Sequence, residues 1–458
     1  MNQLEKPRSS KERQPRSGQA AARMALILLL GINLFNYIDR QVLAAVVPAI
    51  RQEFFGAGRA PGPAVQFLLG CLQKLLGSNP ENALIGLLAM AFMLTYMVMA
   101  PIFGWLRLKR WWIIAFGVAL WSLASGATGL AASFGLLLAT RCLVGVGEAA
   151  YGPVAPSIIA DLYPEKVRGR VLSWFYIAIP VGSALGFVLG GLVAGSALGW
   201  RWAFYLVVPP GLLLALACLF MREPNHGEPE AAGQASERKI GWSGYRRLLS
   251  TPSFVLDTLG MAMMTFAIGG VAFWMPSYIH EFRGVPNLAM VNLAFGTILV
   301  VSGLTATLCG GLLADKLQAR FPGSYFLVSG CAMLVGFPFF LASLYVPFPW
   351  AWICIFVTCF CLFFNTGPTN TILANVTDPS IRAGAYALNI LIIHSLGDVI
   401  SPLVIGAITD AFGKNMNTAF LAVSGAVLLG GLLWLWGARY LARDTECAAK
   451  GQGGQPLP

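Results

Sequence analysis

Charge is scarce in this sequence. Asp, Glu, Lys and Arg make up 11% of its 458 residues, against roughly 25% in an average soluble domain, so water is not its solvent throughout. That excludes a soluble enzyme. Chemical signatures are lacking too: no HExxH, Walker loop, CxxC or triad pattern occurs, so no metal, cofactor or catalytic residue is expected. The nine cysteines are odd in number and mostly sit inside apolar runs, with Cys71 and Cys447 the exceptions, so no structural disulfide is expected. What is abundant is apolar: 57% of the residues, with 51 Gly and 29 Phe spread over long runs. The chain reads as an all-α integral membrane protein.

A helix needs about 20 apolar residues to cross about 30 Å of hydrocarbon. That length predicts spans near 24–47, 83–105, 112–134, 136–160, 168–195 and 201–221, then near 253–279, 290–314, 325–346, 349–373, 381–409 and 417–441. Twelve spans fall into two six-helix bundles, 24–221 and 253–441. Around them lie a basic tail (1–23), a long external loop (51–82), a linker (222–252) and a second tail (442–458). The first apolar stretch is too long for a signal-peptide core and contains Asp39 and Arg40, so it is an uncleaved span. Of the 31 Lys and Arg residues, 23 fall on one side of the membrane by alternation and six on the other, leaving Arg40 and Arg141 within spans. By the positive-inside rule both termini and the linker are cytoplasmic, as in a cell inner-membrane protein. The net charge of +11 therefore reflects orientation and not a nucleic-acid partner.

The two bundles echo one another. Asp161-Leu-Tyr-Pro164 leads to Arg168-Gly-Arg170 before the fifth span, and Asp378-Pro379 leads to Arg382-Ala-Gly384 before the eleventh, with the Arg positions 214 residues apart. Duplicated halves with a binding site between them follow. Residues 64–76 place Val65, Leu68, Leu69, Leu72, Leu75 and Leu76 on one helical stripe too short to span. It reads either as an interfacial helix or as an amphipathic cap on the protein. Gly182, Gly186 and Gly190 form a small-residue face for close helix packing, with gating a further step.

A charged group at mid-bilayer costs about 2.5–3.5 kcal/mol even on the mildest scale, so it needs a partner, water or a purpose. In the first span Asn33, Asn36, Tyr37 and Arg40 make one polar stripe, with Asp39 beside it. Asp39 and Arg40 diverge by about 100° around the axis and each should find its partner on another helix. Arg141 and Glu148 lie two turns apart on one face of the fourth span. These four charges form either an anion-binding, proton-accepting cluster in a central cavity or a static salt-bridge network. In the second half, His394 and Asp398 share a face of the eleventh span, as a proton relay or a packing hydrogen bond. Asn365, Thr366 and Asn370 are polar residues of the tenth. Asp257 near the start of the seventh span reads as an interfacial anchor.

Several motifs carry a resemblance. Asn36-Tyr-Ile-Asp39-Arg40, Arg141-Cys-Leu-Val-Gly-Val-Gly147-Glu148-Ala, Phe175-Tyr-Ile-Ala-Ile-Pro-Val-Gly-Ser-Ala-Leu-Gly186, and His394-Ser-Leu-Gly-Asp398 with Ser401-Pro402 together resemble the Spinster family of the major facilitator superfamily, from about Asn33 to Tyr440. The first motif is shared with sugar-acid and organic-anion transporters of the superfamily. The resemblance implies two bundles rocking around a central cavity and proton-linked transport of an amphiphilic anionic lipid, lysophospholipid or sphingosine-phosphate-like, by a monomer. It makes Asp39 and Glu148 the protonation sites, with Arg40 and Arg141 as their partners or as head-group ligands. Asn36, Tyr37, Asn365, Thr366, Asn370, His394 and Asp398 become candidate substrate contacts. Arg168, Arg382, Gly104, Asp315 and Lys316 become candidate parts of the conformational switch. There the chain departs from the family pattern: Gly311-x-x-x-Asp315-Lys316 is intact, but Gly104 is followed four residues later by Leu108 in place of the usual acid. The long first external loop is a second departure. Symport of a small organic or sugar acid is the rival reading, and a non-transporting membrane sensor or scaffold is a third.

Overall fold

The computed structural model of the protein describes residues 16–56, 63–76, 79–106, 108–223, 242–378 and 381–449. Lipid offers no hydrogen bonds to a bare backbone, so spanning segments must satisfy their own N–H and C=O groups. Among the described residues, twelve helices are long and apolar enough to cross a membrane in this way: α1 (Ala20–Ala45), α2 (Glu81–Trp105), α3 (Arg110–Gly129), α4 (Phe134–Leu162), α5 (Arg170–Ala194), α6 (Arg201–Leu219), α7 (Pro252–Phe282), α8 (Leu288–Gln318), α9 (Ser324–Tyr345), α10 (Trp350–Asn375), α11 (Gly384–Ala411) and α12 (Met416–Gly437). No strand occurs among the described residues. Several features expected from sequence lie outside those residues: the basic tail to residue 15, Arg59, Arg107, the linker over 224–241, Pro379, and the tail from residue 450.

The repeat of the six-helix unit is visible in the backbone. Helix α4 breaks between Phe134–Ala149 and Val154–Leu162, where Gly152-Pro153 cannot continue the hydrogen-bond ladder. Helix α10 breaks between Trp350–Phe363 and Thr366–Asn375, and the two first segments end 214 residues apart, at Ala149 and Phe363. The same interval separates Arg168 from Arg382. Arg168 donates through Nε to the Tyr163 carbonyl at 3.3 Å, and Arg382 donates through Nη2 to the Thr377 carbonyl at 3.4 Å, each reaching back five residues. Helix α11 carries a further break, between Leu396 and Ser401.

Tyr163 donates to the Ala22 carbonyl at 3.1 Å, and Asp444 of the C-terminal helix (Leu441–Ala449) accepts the Ser253 N–H at 2.9 Å. The starts of α1 and α7 and the ends of α4 and α12 thus share one end of the molecule, here the terminal end. The opposite, far end is where the halves are tied together. Asp410 of α11 accepts from the backbone N–H groups of Asn82 (3.2 Å) and Ala83 (2.8 Å) and from Asn82 Nδ2 (2.7 Å), capping α2 from the other half. Arg51 donates to Glu281 (2.7 Å) and Asn82 (2.8 Å), and Lys414 pairs with Glu81 at 2.9 Å. A cleft of about 1060 Å³ lies there between the halves, bordered by Arg51, Gln52, Glu81, His280 and Glu281.

The short helix Pro63–Leu76 packs Leu68, Leu69 and Leu72 against the core and leaves Phe67 exposed, which favours the cap over the interfacial reading. Asp257 corrects an expectation: it is no interfacial anchor but has no exposed surface at all. Its position five residues into α7 suggested the membrane surface, yet α12 and the C-terminal helix pack around the start of α7.

Candidate functional site

The polar stripe of α1 is held in place from behind by α5. A methyl group at Gly182 would sit 2.6 Å from the Leu34 carbonyl oxygen, and Gly186 and Gly190 meet Ile38, Val42 and Ala45 as closely. Only glycine on α5 lets the two backbones approach this far. Asn33 reinforces the seam by donating to the Phe175 carbonyl at 2.8 Å. On α4, Gly145 and Gly147 do the same for α2 and α3, which close in at Phe92 and Trp121 on either side of Glu148.

The packing assembles the four predicted charges in two layers. In the first, Arg40 Nε donates to Glu148 Oε2 at 2.6 Å across α1 and α4. The Arg40 side chain is 19% exposed and that of Glu148 is fully buried. Both line a cavity of about 140 Å³ with Asn36, Tyr37 and Tyr96. The Arg40 guanidinium carbon stands 4.9 Å from the Tyr37 ring centre, 5.1 Å from Phe92 and 5.2 Å from Tyr96, so three aromatic faces stabilise its charge. In the second layer, Asp39 accepts a short hydrogen bond from the Ser125 hydroxyl of α3, and the Arg141 guanidinium carbon lies 5.4 Å from the centre of the Phe92 ring. Neither borders the cavity.

This arrangement leaves capacity unused. Glu148 Oε1, Asp39 Oδ2, Asn36 Nδ2 and the Nε and Nη1 atoms of Arg141 are buried without a hydrogen-bond partner. A buried polar atom left in this way costs about 1–3 kcal/mol, more when charged. Both donors and acceptors are therefore available for an anion and a proton.

The second-half candidates are placed differently. His394 Nδ1 and Asp398 Oδ1 are 2.8 Å apart and roughly a third and a quarter exposed. Asp398 lies within electrostatic reach of Tyr37 on the first-half stripe. On α10, Thr366 and Asn370 are exposed and bond back to their own helix, while Asn365 is buried with Nδ2 on the Cys361 carbonyl and Oδ1 unpartnered. Asp315 accepts from the Tyr325 hydroxyl at 2.9 Å, far along the chain from the cluster and next to Lys316. A methyl group added at Gly104 would meet open space among the described residues. Near the vacant acid position, Arg110 is held by Asp161 and Glu223, each at 2.6 Å.

Ser125, Phe92 and Tyr96 are site residues that the sequence did not mark. Nothing distinguishes one serine or one ring in an apolar run from its neighbours. The available signal was weak: Ser122 and Ser125 at i, i+3 on α3, and Thr95-Tyr96 as a polar interruption of α2.

The family model described as Major Facilitator Superfamily matches residues 29–397. Protein spinster homolog 3 of Danio rerio is 33% identical over 96% of this chain and 90% of its own length. Protein spinster homolog 1 of Homo sapiens is 34% identical over 94% and 84% respectively. Among solved structures, a bacterial homolog of the human lysosomal transporter Spinster, crystallised in an inward-facing and unoccupied conformation, aligns with a TM-score of 0.75 at 23% identity, covering 95% of this chain and 99% of that one. A D-xylose-proton symporter aligns with a TM-score of 0.68 at 17% identity, covering 90% and 96%. At these identities both structures speak to the fold.

Proposed function

The chain belongs to the Major Facilitator Superfamily and, within it, to the Spinster family, and from that premise we propose that it is a proton-linked carrier of an amphiphilic anion, a lysophospholipid or sphingosine-phosphate-like lipid, working by alternating access. One observation carries the reading: a guanidinium at a cavity wall, held by a single carboxylate that has no other partner. An anionic head group entering the cavity competes with Glu148 for Arg40, because guanidinium forks suit phosphate and carboxylate equally. Glu148, once displaced, is a buried carboxylate without a cation, and it takes up a proton. Anion and proton then bind together, and the cavity gains no net charge.

Asp39 and Arg141 form the supporting layer, with Asp39 a second proton acceptor and Arg141 a reserve cation behind Phe92. Asn36 and Tyr37 orient the head group, and His394, Asp398, Asn365, Thr366 and Asn370 contact it from the second half. The ties at the far end represent one state, open toward the terminal end. The distribution of Lys and Arg supports a cytoplasmic position for that end, in a cell inner membrane. Arg168, Arg382, Gly104, Asp315 and Lys316 set the balance with the opposite state, which substrate shifts only by binding one state better. The working unit in this proposal is a monomer.

A cavity of about 140 Å³ holds a head group and not a whole lipid. That volume favours the second reading, symport of a small organic or sugar acid. Uptake of labelled lysophosphatidate and of labelled hexuronate into vesicles of the reconstituted protein separates the two. The lipid reading expects lysophosphatidate uptake that excess hexuronate does not inhibit; uptake of hexuronate alone would replace it with the acid reading.

A further inference from the structure

The second half holds an acid that the proposed cycle does not use. Asp257 has no exposed surface, and neither of its carboxylate oxygens has a hydrogen-bond partner. One turn earlier on the same face of α7, Ser253 is equally buried and its hydroxyl is also unpartnered. Three polar atoms without partners thus occupy successive turns of one helix face.

The elements around them supply no bonded cation. From α12, Trp434 donates its indole N–H to the main-chain carbonyl of Asp257 at 3.3 Å, and the carboxylate of the same residue also lies near that N–H. From α11, Tyr386 lies within electrostatic reach of Asp257, but its hydroxyl donates to the Asn370 carbonyl at 2.8 Å; one turn before it, Arg382 is bonded to the Thr377 carbonyl. From the C-terminal helix, Asp444 accepts the Ser253 N–H and adds negative charge, with Arg443 bonded to that same carboxylate. The α10 segment Thr366–Asn375 carries no ionisable residue. On the helix Trp242–Ser250 that leads into α7, Arg246 is exposed and Arg247 half-buried.

An ionised carboxylate without any partner is among the costliest groups a protein can bury, whereas a neutral carboxyl needs only an acceptor for its O–H. The Ser253 hydroxyl, one turn away, is such an acceptor. We infer that Asp257, together with Ser253, is a further proton-binding site, located in the half that lacks the four-charge cluster. A proton from water at the terminal end adds to one carboxylate oxygen and converts –COO⁻ to –COOH; no other reactant is consumed. Ser253 stands at the first turn of α7, at the terminal end, where Asp444 of the C-terminal helix accepts its N–H. Only the use of this proton in transport rests on the proton-linked reading above; its binding does not.

The test is the thermal unfolding midpoint of the purified full-length protein from about pH 5 to about pH 9, wild type beside Asp257→Asn. The folded protein keeps a proton that the unfolded chain releases, so the wild-type midpoint falls as pH rises. Asn mimics the neutral acid and does not titrate, so the variant folds and lacks that part of the fall, standing about 2–4 °C or more above wild type at the alkaline end relative to the acid end. Infrared spectra of the wild type at the alkaline end should carry a protonated-carboxyl stretch that Asp257→Asn removes. Parallel pH profiles, a variant that does not fold, or no such band in the wild type would each overturn the inference. No substrate is involved, so a transport assay in which flux ignores the proton gradient would sink the proposed coupling and leave this result standing.

Discussion

The two halves of the molecule share a scaffold and divide the chemistry. Both break their fourth helix at the same place, 214 residues apart, and both turn an Arg back on a carbonyl five residues earlier. Yet at the break in α4 stands Glu148 bonded to Arg40, while at the break in α10 stands Asn365, bonded to its own helix. Duplication therefore fixes where a helix can open and not what is placed there. The first half carries the ion pair at the cavity; the second supplies a partly exposed His–Asp pair, a buried acid without a partner and, in Asp410, the group that ties its far end to the start of α2.

The contrast is broken most severely by removing a cation from the first half. Arg40→Gln leaves Glu148 buried without its partner, a loss of about 3–5 kcal/mol for a fully buried pair, reduced here because Arg40 is partly exposed. We expect substrate affinity, measured by isothermal titration of the purified protein, to fall on the order of 100-fold or more. A fall below about 5-fold would move the anion site elsewhere.

A second prediction concerns the seam between the halves. Asp410→Ala removes three hydrogen bonds to the start of α2, one of them to a side chain, and charged acceptors of this kind contribute about 1.5–3 kcal/mol. A cysteine introduced at Gln52, in the far cleft, should react with a water-soluble maleimide about 10-fold faster in this background. Unchanged labelling would mean that the other ties hold the far end without Asp410.

The smallest effect is expected from the second half's own pair. His394 and Asp398 are exposed enough for solvent to screen them, and such pairs contribute about 0–1 kcal/mol. Asp398→Asn should change initial uptake rates by less than about 5-fold. A loss as deep as that of Arg40→Gln would show that the halves share the chemistry after all.

Much of this was readable in the sequence, for physical reasons. Twenty apolar residues have few fates other than a membrane helix, and an Asp, Glu or Arg among them is conspicuous because burying it is costly. What the sequence could not supply was pairing. It placed Asp39, Arg40, Arg141 and Glu148 in one region but not Arg40 on Glu148 with Asp39 on Ser125, because that choice depends on how far α1 is rotated against α4, and the glycine seams set that rotation. Phe92 and Tyr96 were hidden because aromatic rings in a span are commonplace. Asp410 and Asn82, 328 residues apart, looked like ordinary polar residues at helix ends. Asp257 was misplaced at the membrane surface because depth counted along a helix ignores what packs over its start.

The central claim is that the Arg40–Glu148 pair exchanges its internal contact for an anion and a proton together. Proton movement measured with an entrapped pH-sensitive dye, alongside uptake of labelled lysophosphatidate, tests it in vesicles of the wild type and of Glu148→Gln. We predict that substrate carries protons inward in the wild type, and that Glu148→Gln binds substrate but moves fewer protons with it. Equal proton movement per substrate in the two proteins would contradict the account.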